Sequence, residues 1–329
     1  VGTPALAQAA AAASRQTHLK GHARMKISGF SFCRNAQKLY YPLTEAIRSI
    51  LPICDEFIVA VGKGDPDDHT REIIEQIGDP KIRIIDTEWT DRERLKGWVH
   101  SQQTNIALRE CQGDWCFYVQ ADEVIHEKYL PVIRARCEQL LDDREVDGLL
   151  FKYKHFWGDY DHYLTSHAAY PWEIRLIRNH AGVESWRSAQ SFRRNGEKIR
   201  VAKAGAEVFH YGWVRPPRLM QKKEKELATT HHGKDFVATR DAVKPPQAVF
   251  DYGSLADLSV YRDTHPAVMR EWISRFDWKD QLQYTGPTRA RHKHHLPKYR
   301  LFTFIEQNIF GGRVHLGSKA YILLNRPMK

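Results

Sequence analysis

Residues 113–124 read GDWCFYVQADEV, an aromatic and apolar run that stops at two adjacent carboxylates, Asp122 and Glu123. A short run rich in aromatic and β-branched residues reads as a buried strand. Buried carboxylates are costly unless they are paired or hold a metal. In an open α/β sheet, ligands bind at the carboxyl ends of the strands, where this pair stands. Asp122 and Glu123 are therefore the first candidate functional residues.

Working outward from this strand, others are expected at 27–32, 57–61, 82–85 and 148–153. Helices are expected between them at 42–51, 68–77, 96–111 and 129–141. Pro42 suits a first helical turn, and Leu43, Ile47, Ile50 and Leu51 follow at helical spacing. Gly78-Asp79-Pro80 is a stop signal. Leu130, Ile133, Cys137, Leu140 and Leu141 share one helical face. Alternating strands and helices predict an α/β domain, a largely parallel sheet with helices on both faces. Residues 154–171 are aromatic and His-rich without a clear period. Strand-like pieces follow at 173–177 and 206–211. Arg215-Pro216-Pro217 opens a charged helix to about residue 228, Pro245-Pro246 and His265-Pro266 mark a loop, and a helix is expected at 268–275.

The 329 residues are 42% hydrophobic, ample for a core, and no run of eighteen apolar residues is present. The net charge of +10 predicts attraction to anions: a nucleotide diphosphate, an anionic polymer or membrane phosphates. No nucleic-acid motif accompanies the charge, so a specific nucleic-acid partner is not expected. The five cysteines are odd in number and include no C-x-x-C pair, which suits reduced thiols and a cytoplasmic protein. The basic surface reads either as that of a soluble protein or as one that makes peripheral contact with an anionic polymer or the inner face of a membrane. Residues 1–24 are Ala-rich and without aromatics, and their first basic residue, Arg15, follows the Ala run, a poor signal peptide. They read as a disordered extension or one not native to the domain, with Met25 a natural start.

Four stretches in order carry a resemblance: KISGFSFCRN (26–35), FIVAVGKGDPDDHT (57–70), SQQTNIAL (101–108) and GDW-strand-QADE (113–123). Together they resemble family 2 glycosyltransferases over about residues 25–215. The resemblance implies a GT-A-type fold, a mostly parallel mixed sheet flanked by helices. It divides the chain into a catalytic domain at 25–215 (donor half 25–125, acceptor half 126–215) and a mainly helical C-terminal addition at 216–329. The chain departs from the family pattern at Gln120, where Asp is usual, and at Gly62-Lys63, where the second strand usually ends in Asp. A subgroup with QADE and a later HYGWV is the better match.

The resemblance implies a nucleotide-sugar donor lined by Arg34, Asn35, Gly62, Asp67, Asp68, Asn105, Gln120 and Ala121. It makes Asp122 a direct ligand of Mn²⁺ or Mg²⁺, with Glu123 beside it as a second metal residue and His210 as a further ligand. Hard divalent ions take carboxylate oxygen, and one here would offset charge on a departing diphosphate. Helix capping is the other reading of Asp122 and of Asp68. His210 also reads as a core histidine bonded to a backbone carbonyl. An inverting transfer needs a general base. Glu173 is the first candidate and Asp161 the second, though Glu173 also suits a salt bridge to Arg175 or Arg178. The basic run at 289–300, with His292, His294 and His295, suits phosphate groups of a polymer or lipid, or a solvated surface.

The expected function is a metal-assisted, inverting glycosyltransferase acting on a hydroxyl of a glycan or lipid-linked glycan. Two rivals remain: a GT-A-like nucleotidyltransferase, and a non-catalytic basic binding protein with a degenerate donor site. The first rival usually carries a Gly-rich basic loop after the first strand, whereas residues 33–41 offer only Arg34 and Lys38.

Overall fold

The computed structural model describes residues 24–89, 97–179, 182–243, 249–282, 296–312 and 314–328. Of the features expected above, residues 1–23 of the extension, Lys96, Pro245-Pro246 and residues 289–295 with their three histidines lie outside the described residues.

The first half follows the expected alternation: β1 (Ile27–Cys33), α1 (Leu43–Ile50), β2 (Glu56–Gly62), α2 (Thr70–Glu75), β3 (Ile82–Thr87), α3 (Trp98–Arg109) and β4 (Trp115–Tyr118). These strands pair in parallel in the order β3-β2-β1-β4. Side chains alternate across the sheet, as strand geometry requires. Trp115 and Phe117 join Leu43 and Ile47 of α1 in one layer, while Cys116 and Tyr118 join Ala107 and Leu108 of α3 in the other. All five cysteines are buried and free.

The second half is β5 (Glu123–Ile125), α4 (Leu130–Gln139), β6 (Gly148–Trp157), β7 (His162–Leu164) and β8 (Trp172–Arg178), then β9 (Val183–Trp186), β10 (Ser191–Arg194), β11 (Glu197–Lys198) and β12 (Arg200–Trp213). β8 joins β4 and β6 antiparallel, so the sheet is mixed, as a GT-A-type domain requires. β6 runs four residues past its expected end. The segment expected to be irregular therefore begins as strand and continues into β7. The piece expected at 206–211 lies within a 14-residue strand, because β12 finds partners in β6, β5 and β14 (Ile322–Leu323) along its length. β9, β10 and β11 form a separate meander that was not expected. Its second turn is Asn195-Gly196, at φ 51° and 82°, a hairpin signal present in the sequence.

The C-terminal region contributes α5 (Pro217–His232), α6 (Lys234–Val243), β13 (Ser259–Val260), α7 (Arg270–Ser274), α8 (Pro297–Phe304) and β14 (Ile322–Leu323). Helix α8 continues into a π-helical turn, Ile305–Ile309. Met220, Trp272 and Trp278 pack with Phe209 and Tyr211 of β12, which seats this region on the domain. No helix among the described residues is long and apolar enough to cross a membrane.

One buried ion pair ties β5, β6 and β8 together. Arg175 donates from Nε to Glu123 Oε2 and from Nη2 to Glu123 Oε1, both at 2.7 Å. The Tyr153 hydroxyl donates to the same Oε1 at 2.7 Å. The Arg175 guanidinium lies 5.3 Å from the ring centres of both Tyr118 and Tyr153. Replacing Arg175 by Ala would strand a buried carboxylate, a change that costs roughly 3–5 kcal/mol. The expected result is a melting temperature lower by roughly 10 °C, read by differential scanning calorimetry. A drop of only a degree or two would show that Glu123 is not held as described.

Candidate active site

Beyond the carboxyl ends of β1 and β4 lies a cavity of about 320 Å³. Phe32, Arg34, Trp89 and His100 wall one part, and Gln120, Ala121, Asp122, Tyr170 and His210 another. Helix α5 closes it with Lys223, Glu226, Leu227, Thr230 and His231. The C-terminal region is thus a wall of the cavity. A roomier cleft of about 640 Å³ lies between β12 and the chain's last described residues. Its carboxylate, Glu207, is paired with Lys154 at 3.0 Å, and neither Asp122 nor His210 lines it; both line the smaller cavity.

Asp122 sits in the turn between β4 and β5. Its carbonyl accepts from Tyr211 N–H at 2.8 Å, which fixes the turn to β12. Lys223 Nζ approaches Asp122 Oδ2 at 3.3 Å and also donates to the Gly212 carbonyl at 2.7 Å. His210 Nε2 stands 3.7 Å from the same Oδ2. Burial opposes ionisation of Asp122, but Lys223 foremost, with Arg215 and with His210 when that ring is protonated, outweighs it and holds the carboxyl well below its usual range. Burial and Arg215 push the Lys223 ammonium down to about 7, against the pull of Asp122. Gly212 is needed at this spot, because a Cβ there would meet His210 Nε2 at 2.6 Å and Asp122 Oδ2 at 2.8 Å.

A hydrogen-bond chain sets the His210 tautomer. His155 Nε2 lies 2.7 Å from the Tyr170 carbonyl, and its Nδ1 lies 2.8 Å from His210 Nδ1. A carbonyl only accepts, so His155 Nε2 carries the proton. In neutral His155, Nδ1 is then the acceptor and His210 Nδ1–H the donor. In neutral His210 this leaves Nε2 as a bare lone pair beside Asp122. Metal-binding histidines are oriented in this way, by a partner for the other ring nitrogen. The donor set of one carboxylate oxygen and one imidazole nitrogen fits a divalent cation.

Several expected site residues are committed elsewhere. Glu123, expected as a ligand, is fully buried and its two oxygens are taken by Arg175 and Tyr153, which corrects that reading. Asn105 Oδ1 accepts from Ser185 N–H at 2.7 Å and ties α3 to the meander rather than lining the cavity. Asn35 has φ 53°, a conformation that asparagine tolerates, and its Oδ1 accepts from Asp65 N–H at 2.8 Å. Asp67 pairs with Lys38 at 2.6 Å, and Asp68 Oδ2 accepts from Thr70 N–H at 3.2 Å at the start of α2. Asp68 and Gly62 line a different cavity, of about 400 Å³, at the ends of β2 and β3. Arg34 does line the central cavity, held by Glu226 at 2.9 Å and Asp65 at 3.2 Å. Gln120 spends its amide on the Ala189 carbonyl at 3.1 Å and the Tyr118 hydroxyl at 3.3 Å.

Both candidate bases lie off the cavity walls. Asp161 is exposed on a loop, where its carbonyl accepts from Tyr261 N–H at 2.7 Å. Glu173 is buried in β8, and its Oε2 has no hydrogen-bond partner among the described residues. Burial pushes it up to about 7, against the pull of Arg175.

The sequence reading missed His155, Lys223, Trp89 and His100. Lys223 lies in a helix that reads as a charged surface. Trp89 packs over Gly62, where a Cβ would meet Trp89 Nε1 at 2.3 Å. That contact gives a physical reason for glycine in place of the usual carboxylate. The buried Trp89 Nε1–H finds no acceptor among the described residues. Phe32 and His100 stack at 5.5 Å, and Trp89 meets His100 edge-on at 5.8 Å, which makes an aromatic wall. Burial, with His231 nearby, holds His100 down to about 4, so it is neutral.

Residues 33–196 match the family described as glycosyl transferase family 2. No curated protein matches the sequence. Among solved structures, the chain is similar to TarS of S. aureus at 14% identity and a TM-score of 0.36, over 62% of this chain and 39% of that one. For TarS 1–349 the identity is 15% and the TM-score 0.34, over 63% and 65% of the two chains. A third is glucosyl-3-phosphoglycerate synthase from Mycobacterium tuberculosis, solved with Mn²⁺, UDP and phosphoglyceric acid. It is 19% identical at a TM-score of 0.26, over 41% and 44% of the two chains. The chain spans less than two thirds of the length of each.

The burial of Glu173 predicts a pH-dependent stability. Its carboxyl is raised from 4.5 to about 7, so the stability it permits is whole below about pH 4.5 and is lost as pH rises through about 7. Glu173→Gln removes that loss. At pH 8 the variant should be more stable than the parent by roughly 2–3 kcal/mol, with the gap nearly closed at pH 4.5. Urea unfolding at the two pH values measures it, and an equal gap at both would contradict the assignment.

Proposed function

Residues 33–196 form a glycosyl transferase family 2 domain, and from that premise we propose that the protein moves a sugar from a nucleoside diphosphate to a hydroxyl of a glycan or lipid-linked glycan. The observation that carries this reading is the hydrogen-bond chain from the Tyr170 carbonyl through His155 to His210, which leaves Nε2 of a neutral His210 bare beside Asp122. Asp122 and His210 would hold a divalent cation, Mn²⁺ or Mg²⁺, with imidazole favouring Mn²⁺. The ion, when bound, supplies charge neutralisation at the leaving diphosphate.

The chain's own groups do the rest. Phe32, Trp89 and His100 offer faces on which a nucleobase stacks, and the Trp89 N–H offers a donor without an acceptor among the described residues. Arg34 places a guanidinium in the same cavity, suited to phosphate oxygens. Glu226 is the cavity-lining carboxylate other than Asp122 among the described residues, and Arg34 holds it in place. On position we assign acceptor deprotonation to Glu226, ahead of Glu173 and Asp161.

Lys223 favours a second reading, in which its ammonium at Asp122 itself faces the diphosphate and no ion is needed. Calorimetry with a panel of nucleoside diphosphates, in Mn²⁺ and in chelator, separates the two. The metal reading expects tighter binding with Mn²⁺, and loss of that gain in Asp122→Asn and in His155→Phe with folding retained. Equal affinity in metal and chelator would overturn it and leave the Lys223 reading. For the base, Glu226→Gln should keep nucleotide affinity and lower kcat by roughly 10²–10⁴. Glu173→Gln should keep both, and the reverse pattern would return the role to Glu173.

A further inference from the structure

Away from this cavity, three ligating side chains converge where the C-terminal region meets the domain. His167 lies between β7 and β8, Glu306 in the π-helical turn after α8, and His315 just beyond. One ligating atom from each lies within 4.8 Å of the others. His167 Nδ1 is 2.7 Å from Glu306 Oε1, and His315 Nδ1 is 3.1 Å from the same oxygen. The two imidazoles stack at 4.5 Å with an interplanar angle of 23°. Glu306 is 3% exposed. Leu316 N–H also donates to Oε1, at 2.6 Å. Three partners therefore crowd one carboxylate oxygen, and two imidazoles side by side resist being charged together.

We propose that His167, Glu306 and His315 form a second metal site, one that takes a zinc-class divalent ion and fastens the C-terminal segment to the loop leading to Tyr170. Two imidazoles and one carboxylate are a donor set that Zn²⁺ takes, with a fourth position left for water. Oxygen-seeking Mg²⁺ and Ca²⁺ are poorly served by two nitrogens. The π-helical turn brings Glu306 inward, and such turns recur at functional sites. Further bonds hold the same seam: Thr303 Oγ1 accepts from His167 N–H at 2.9 Å, and Gln307 Nε2 donates to the Thr165 carbonyl at 3.3 Å. His167 is three residues from Tyr170, whose carbonyl orients His155. The ion would therefore steady the support of the donor cavity without touching it.

The test uses the full chain, stripped with chelator and titrated with Co²⁺ and with Zn²⁺. It is run in the Asp122→Asn background, so that the cavity site does not contribute. One equivalent of Co²⁺ should bind with the strong visible bands of a four-coordinate ion, and Zn²⁺ should displace it and raise the melting temperature. His315→Ala and Glu306→Gln should each weaken Co²⁺ binding at least ~10-fold, the scale on which metal sites respond to altered ligation. Replacing His292, His294 and His295 together by Asn should leave it intact. Absence of saturable Co²⁺ binding in the Asp122→Asn protein overturns the proposal whether or not the ligand variants fold. Equal binding in His315→Ala overturns it too, and a hydrogen-bonded cluster is then all that the three residues form.

Discussion

The bidentate pair between Glu123 and Arg175 is the constraint on which the site depends. It lies in the interior, where a lone charge would be far more costly than a paired one. Its position follows from the strands. Glu123 opens β5 opposite His210 of β12, Arg175 belongs to β8, and Tyr153 on β6 completes the carboxylate's shell. Glu123 Oε2 also accepts from Gln120 N–H at 3.1 Å, which sets the turn that carries Asp122. The two adjacent carboxylates therefore divide their work. Glu123 points inward and holds the sheet, and this leaves Asp122 at the cavity wall.

The second constraint is helix α5. Its sequence is dominated by charge, yet Lys223 is buried and bonded to the Gly212 carbonyl, with its ammonium 5.1 Å from the Tyr41 ring centre. Buried lysine needs compensation, and Asp122 with the Gly212 carbonyl provides it. Through this contact the C-terminal region becomes a wall of the central cavity rather than an appendage. The seam at Glu306 joins the same region to the loop before Tyr170, so the region meets the domain at a second place besides α5.

The departures from the family pattern are physically coherent. Gly62 has no side chain because the Trp89 indole occupies that space. Gln120 makes bonds that a shorter Asp side chain would reach less well, to the Ala189 carbonyl in the meander and to Tyr118. The changes replace charge with an aromatic wall and a link to the meander, leaving Asp122 and His210 as the groups suited to a cation.

The alternation of strands and helices through Tyr118 was legible in the sequence, because buried strands and one-faced helices leave periods that composition cannot hide. Asp122, His210, Arg34, Gln120 and Ala121 were legible as residues of one cavity through their motifs. Asn105, Asn35, Asp67 and Asp68 were not separable from them, since motif spacing does not tell a residue that faces a ligand from one that braces the loop beside it. Only the tertiary structure decided that Glu123 faces Arg175, that His155 orients His210, and that Lys223 returns from a distant helix to Asp122. Those decisions belong to pairs 52, 55 and 101 residues apart. Local sequence sets the direction of a side chain along its own strand or helix, but its partner is chosen by how the strands and helices pack.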